Sequence, residues 1–388
     1  MTTYCRRPMR VIATALALVV LCVRASRVVV AQDRMILRIP NASLPQLFSQ
    51  IRGVRELRDG RVLITDRLEE HLSVANFIDG SLRVISRPGR GPQEYHLPTA
   101  LVPMPGDSTL MVDEGNSRLA VIGPELRVVR SFALRVPGIP VPLGVRAVDR
   151  NGRYYLQIPG WISDARAHGD SVWLIRFTPR GERVDTLARI KGSTSPPSRD
   201  GRQMGIPFVP FAPEDRWGIT GDGRLAILRS GDNHVEWRGN TGTIQRGPAM
   251  QGARLAVTTA DRIAFTRSFI ANSPIGGRDV NGGMSAAPAE LLEEKTIQGI
   301  AERNTFAPTM ALYADTPSIV ASDGSFWLER STRLGSPSTW DVFDGAGRNV
   351  RRVTLPAGRR LVALGAASAY LVSTDDDGLE HLERYASR

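Results

Sequence analysis

Residues 106–123 read GDSTLMVDEGNSRLAVIG, and this stretch decides the fold. A glycine–aspartate turn opens it, TLMVD follows as a run of β-formers, EGNS breaks the run, and RLAVI begins a second one. Two apolar runs on either side of a short polar turn are the mark of an antiparallel hairpin. The same order recurs at DGRVLITD (59–66), RNGRYYLQI (150–158), GDGRLAIL (221–228), SDGSFWLER (322–330) and, more loosely, GAASAYLVS (365–373). Partner runs follow at SVWLIRF (171–177), HVEWRG (234–239), TWDVFD (339–344) and EHLERY (380–385). A third run follows several of these, as in IDGSLRVI (78–85) and GAGRNVRRVTL (345–355).

The interval between units sets the architecture. Gly60 to Gly106 and Gly106 to Gly152 are each 46 residues, Gly152 to Gly223 is 71, Gly223 to Gly324 is 101, and Gly324 to Ala366 is 42. A period of about 40–50 residues with three or four strands per unit belongs to β-propeller blades. The spacing predicts an all-β, six-bladed β-propeller, or seven blades if the longest interval hides a degenerate one. The long intervals are then blades with insertions, about 192–213 and 257–310. The first is rich in Ser, Pro and Gly and reads as a loop. The second carries the one helical pattern, around 286–304, with Pro288 near its first turn and Leu291, Leu292, Ile297 and Ile300 recurring at helical spacing. MILRIP (35–40) alternates apolar residues, and the last unit is one strand short. Residues 35–39 are therefore expected to pair with the final blade and close the ring, removing exposed edges. Val62, Leu110, Tyr154 and Leu225 are expected on the innermost strands, which would make the channel largely apolar.

Within the quoted stretch, LMVDEGNSRLAVIG (110–123) resembles an NHL repeat, in which a β run ends in Asp and is followed by Asn and then Arg. Asp113, Asn116 and Arg118 match that pattern. Asp66 stands where Asp113 does, but no Asn and Arg follow it at the same spacing. The linker GRGPQEY (89–95) and the ending WDVFDGAGRNVRRVTLP (340–356) look like exported bacterial six-bladed β-propeller proteins of this group. The likeness covers most of residues 45–387. It implies a fold and no reaction. Enzymes of the calcium-dependent lactonase or lyase type share the six-bladed shape and hold a metal in the central channel with Glu, Asn and Asp from several blades. No set with one such residue per blade is recognisable here.

The N-terminus reads as a targeting segment. Arg6, Arg7 and Arg10 precede the uncharged run VIATALALVVLCV (11–23), and Val29 and Ala31 suit the −3 and −1 places of a cleavage site. A basic start, a short apolar core and a small residue at the cut describe a signal peptide. Thirteen apolar residues span about 20 Å as a helix, short of a hydrocarbon core of about 30 Å. The expected domains are residues 1–31 as signal peptide and 32–388 as one propeller, secreted or periplasmic, monomeric and without a membrane span. The 388 residues are 42% apolar and 23% charged, ordinary globular values. Residues 1–31 hold five Arg and no acid, so without them the formal charge falls from +11 to +6. That weak, scattered field argues against nucleic acid as a partner. Cys5 and Cys22 are the only cysteines, which excludes a disulfide framework or cysteine zinc site beyond residue 22.

Candidate site residues are few. Glu94 and His96 lie beside the glycine turn of GRGPQEY, and Asp113 and Arg118 belong to the repeat-like stretch; these four are the candidate binding residues. The same residue types are what tight turns and blade crossings require, and that is the simpler use for them. No two of the five histidines stand at a zinc spacing, and neither GxSxG nor a P-loop occurs. Asp375-Asp376-Asp377-Gly378 invites calcium but lacks alternating ligands and a closing Glu, and reads as a hairpin turn. No catalytic residue, metal ligand or cofactor is assigned, calcium being the one unsupported candidate. The expected function is a non-catalytic module that binds a protein or small molecule, with the calcium-dependent lactonase or lyase as the alternative.

Overall fold

Strands squeezed between two blades must be apolar on both sides, and this explains where the strongest sequence runs fall. The computed structural model describes residues 32–134, 145–158, 171–178, 184–192, 209–272 and 293–387. The expected signal peptide, 1–31, and most of the first insertion lie outside these. Two short strands lead, β1 (Asp33–Ile36) and β2 (Ala42–Ser43). Blade 1 is β3 (Ile51–Glu56), β4 (Val62–Asp66), β5 (His71–Asn76) and β6 (Ser81–Val84). Blade 2 is β7 (Pro98–Pro103), β8 (Thr109–Asp113), β9 (Arg118–Ile122) and β10 (Val128–Phe132). Blade 3 is β11 (Ala147–Val148), β12 (Tyr154–Ile158), β13 (Ser171–Phe177) and β14 (Val184–Lys191). Blade 4 is β15 (Arg216–Ile219), β16 (Leu225–Arg229), β17 (His234–Arg238) and β18 (Ile244–Arg246). Blade 5 is β19 (Ile319–Val320), β20 (Phe326–Glu329), β21 (Thr339–Phe343) and β22 (Asn349–Thr354). Blade 6 is β23 (Arg359–Leu364), β24 (Ser368–Thr374) and β25 (Glu380–Ala386). The chain is a six-bladed β-propeller, each blade an antiparallel meander.

Successive side chains of a strand point to opposite faces, so each blade packs on two neighbours. Val62 and Ile64 of β4 join the cluster with Tyr370 and Val372 of blade 6, while Leu63 joins the cluster with Met111 and Ala120 of blade 2. Six apolar clusters fill the gaps between blades in this way. The outer strands β6 and β18 are mostly exposed. The first strands of the blades touch one another from blade 6 through blade 1 to blade 5, which makes them the inner wall. Their approach is close: a Cβ on Gly53 would stand 2.5 Å from the Thr99 carbonyl oxygen, and one on Gly218 would stand 2.5 Å from Val320 Cγ2.

Three expectations are corrected. Val62, Leu110, Tyr154 and Leu225 lie on second strands, not inner ones, and are buried between blades. The N-terminal arm does close the ring, but with a different segment. β2 pairs with β25 and supplies the fourth strand of blade 6, helped by an isolated bridge from Phe48 to Glu380. β1 instead lies parallel to β22 as a fifth strand on blade 5. Among its described residues the second insertion holds two helices, α1 (Thr259–Asn272) and α2 (Glu294–Arg303), where the sequence suggests one. α2 falls within the expected span, whereas Pro288 lies outside the described residues.

Chain direction sorts the loops. Second-to-third strand turns and blade-to-blade crossings share one face, here the upper; the remaining turns share the lower. The helical insertion joins β18 to β19, so it belongs to the upper face. There Phe265 of α1 meets Phe211 and Phe306 edge to face at 5.5 and 6.0 Å between ring centroids. Arg333, in the upper turn of blade 5, bonds Asp261 of α1 at 2.9 Å.

Candidate functional site

The four sequence candidates come together on the upper face where blade 1 crosses to blade 2. Asp113 ends β8 with its carboxylate fully buried. It accepts the His96 backbone N–H at 2.7 Å, the Asn116 amide at 2.9 Å and Arg118 Nε at 2.7 Å. Arg118 then donates from Nη2 to the carbonyls of Gly91 at 2.8 Å and Glu94 at 2.7 Å. Asn116 reaches the Gly89 carbonyl at 2.9 Å. The GRGPQEY crossing is therefore strapped to blade 2 by Asp113, Asn116 and Arg118. Glu94 faces its own turn, accepting Gly91 N–H and Arg87 Nε, each at 2.8 Å. Those bonds, that from Gly91 first, hold its carboxyl below the usual carboxylate range. His96 Nδ1 lies 2.9 Å from Glu70 Oε2.

Asp375 closes the β24–β25 turn, accepting the N–H groups of Asp377 at 3.1 Å and Leu379 at 2.9 Å and lying 3.0 Å from His381 Nε2. Among the described residues no three His, Cys, Asp or Glu gather as metal ligands. No helix there is long and apolar enough to cross a membrane.

The upper mouth of the channel holds a second group, which the sequence reading missed. Arg216 begins β15 and donates to Glu214 at 2.9 Å and Asp315 at 2.7 Å, joining blade 4 to the approach of blade 5. Its Nε also donates to the Ala314 carbonyl at 3.2 Å. Arg146, just before β11, is within electrostatic reach of Arg216, Asp315 and Glu214. Burial first, and Arg216 next, pull Arg146 below the ordinary guanidinium range. Burial pushes the Asp315 carboxyl up, against the opposing pull of Arg216. Yet the Asp315 side chain is 46% exposed, and Arg146 is also exposed. Water contact combined with surrounding protein is what a channel wall gives a side chain. The Arg146 backbone N–H bonds the Tyr155 carbonyl at 3.0 Å, but its side chain makes no hydrogen bond or ion pair among the described residues.

Blades 6, 1 and 2 contribute a matching set. Arg360, on β23, donates to Glu380 at 2.8 Å and to the Ile51 carbonyl at 3.1 Å. Glu380 also accepts the Ile51 N–H at 2.6 Å. Arg67 lies 3.5 Å from Glu114. Arg52, on β3, is lowered by burial first, then by Arg67 and Arg360. In a six-membered ring blade 4 lies across from blade 1 and blade 3 across from blade 6, so the two sets occupy opposite walls of one mouth.

No family model matches the chain, and no curated protein matches it. Solved structures do. The calcium-binding protein regucalcin of Agrobacterium tumefaciens matches over 92% of this chain and 97% of its own, with 13% identity and a TM-score of 0.39. A Bacteroides fragilis protein described as exported matches over 92% and 99%, with 10% identity and a TM-score of 0.47. A gluconolactonase of Xanthomonas campestris matches over 88% and 91%, with 11% identity and a TM-score of 0.42. At these identities the likeness concerns the fold alone.

Proposed function

We propose that this chain is an exported propeller that binds an anionic small molecule at the upper mouth of its channel. One observation carries the reading: Arg146 presents a guanidinium to that mouth with no hydrogen bond or ion pair among the described residues. A guanidinium partly stripped of water and left without a side-chain hydrogen-bond partner is costly, and a bound carboxylate or phosphate offsets that cost through charge-assisted hydrogen bonds. Arg216 cannot play the same part, because Glu214 and Asp315 already hold it. The test is a thermal-shift titration with inorganic phosphate, acetate and citrate at fixed ionic strength, on the natural chain and on Arg146→Gln. A ligand at a hundred times its Kd stabilises the folded state by about 2.7 kcal/mol. At least one anion should raise Tm in the natural chain and fail to do so in the variant. Equal shifts in both proteins, or none in either, would sink the proposal.

Asp315 favours a second reading, an enzyme. A carboxyl raised above its ordinary range and open to water at the channel mouth suits general acid–base work. Calcium fits this mouth poorly. It takes six to eight oxygens, and on this wall the two carboxylates, Glu214 and Asp315, are both bonded to Arg216. Lactone hydrolysis measured in calcium and in chelator, for the natural chain and Asp315→Asn, decides this reading. Turnover lost in the variant supports it; no turnover in either condition removes it.

A further inference from the structure

The apolar packing between blades 5 and 6 stops short of the lower face. Trp327 and Val342 of blade 5 and Leu364 of blade 6 belong to that packing. Beside them a cavity of about 190 Å³ opens, and the three form its apolar floor. Its rim is polar: Ser322, Asp323 and Ser325 from the β19–β20 turn, Ser387 at the end of β25, and Asp33 bonded to Arg351 at 2.9 Å. Asp323 accepts the Ser325 N–H at 2.9 Å and its hydroxyl at 2.6 Å, and Ser325 Oγ accepts the Trp327 Nε1–H at 3.0 Å. The hydroxyls of Ser322 and Ser387 make no hydrogen bond among the described residues. We infer that this cavity binds a neutral monosaccharide or cyclic polyol, with ring C–H groups on the floor and hydroxyls at the rim. The site lies on the face opposite the upper mouth and does not depend on the anion-binding reading.

Size sets one limit on the ligand. A cavity of about 150 Å³ takes benzene, so this one has room for a single substituted ring. Charge sets another. Arg351 answers Asp33, and a second carboxylate, Asp323, lies on the same rim, so the rim repels an anion. Carboxylates accept hydrogen bonds and serine hydroxyls both give and accept them, which suits a ligand carrying several hydroxyls. An apolar floor with a few polar groups at fixed places is the usual make-up of a small-molecule site. Strand β1 gives independent support. β2 completes blade 6, and three of the four β1 residues are exposed, so β1 serves neither ring closure nor much burial. It is nonetheless held parallel to β22, with Gln32 Nε2 donating to Asn349 Oδ1 at 2.8 Å, and this fixes Asp33 at the rim.

The experiment is saturation-transfer difference NMR on the full-length chain with glucose, xylose, myo-inositol and cyclohexanol, each alone and then with citrate added. At least one of the three polyhydroxylated rings should bind, taking saturation chiefly through the ring C–H protons that meet the floor. Ala321 lines the cavity from the β19–β20 turn, so Ala321→Leu fills it and should abolish the signal. Asp33→Ala removes a rim acceptor and should weaken binding about fivefold, the worth of one hydrogen bond. Both variants are checked for native near-UV circular dichroism. Citrate, an anion suited to the upper mouth, should not displace the ring. No binding by any polyhydroxylated ring, or binding unchanged in Ala321→Leu, would overturn the inference. Cyclohexanol bound as tightly as the best of the three would mean that the rim does not recognise hydroxyls, and would overturn it too. Displacement by citrate would put the ring at the mouth and count equally against the cavity.

Discussion

Replacing Asp113 by Ala tests whether the repeat-like stretch is a strap. The carboxylate is fully buried and holds three donors: the His96 N–H, the Asn116 amide and Arg118 Nε. Its loss leaves a mostly buried guanidinium without its counter-charge. Breaking a buried ion pair from one side costs about 3–5 kcal/mol. The lower end applies, because Arg118 keeps the carbonyls of Gly91 and Glu94 as acceptors. Unfolding entropy of about 2.1 cal/mol/K per residue over a chain of this length turns 3 kcal/mol into a Tm loss of about 4 °C. Urea unfolding followed by tryptophan fluorescence reads the free energy directly. The pair term comes from a double-mutant cycle with Arg118→Gln, in which the double variant should lose less than the sum of the singles. A loss under about 1 kcal/mol, or strict additivity, would refute the strap.

The two parts of the N-terminal arm should differ. Removing residues 32–40 strips an edge strand and one buried apolar side chain, Leu37, whereas removing 32–48 also takes Leu44 and Phe48 from the core between blades 6 and 1. At about 1.5–3 kcal/mol for each buried side chain, the longer deletion should cost at least twice as much in urea; equal losses would contradict the pairing of β2 with β25. Asp341 should set part of the acid limit. Burial pushes its carboxyl up, but hydrogen bonds from Arg352 and Arg330 more than offset this, so it titrates below its ordinary value. A depressed carboxyl contributes stability above its unfolded value of about 3.9. That contribution is lost as pH falls further through the folded value. Asp341→Asn should therefore narrow the stability difference between pH 6 and pH 3, and an unchanged difference would count against the assignment.

Blade number, turn positions and the incomplete last unit were legible because they rest on local signals. A second strand such as VLITD (62–66) is buried on both faces, so it is the loudest apolar run in its unit. That same loudness points to the wrong strand for the channel wall, since the strongest run of a unit is its second strand and not its innermost. An inner strand keeps one edge toward the channel and mixes Arg and Gly with its apolar residues, as in IRGVRE (51–56) and RWGI (216–219). Two inner strands, β11 and β19, are only two residues long. Such segments carry no periodic signal. Helix α1 was hidden for another reason: TADRIAFTRSFIAN is rich in Thr, Phe and Ile, which favour strands. Its start was readable in Thr258 and Asp261, which bond each other's backbone N–H in a capping-box arrangement.

The arginine content itself was uninformative, and the structure explains why. All but two of the 50 basic residues are Arg. Arg118, Arg153, Arg229 and Arg352 are each bonded to a buried or nearly buried carboxylate and bind strand to turn. A planar fork with five donors suits that work better than a lysine ammonium does. Composition therefore records the need for such ties many times over, and a ligand-binding arginine adds nothing visible to the total. What separates Arg146 from the others is its bonding: it sits on the inner wall beside two carboxylates that another arginine already holds. That distinction exists only once Glu214, Arg216 and Asp315 are brought together from two blades, so no local pattern could have announced it.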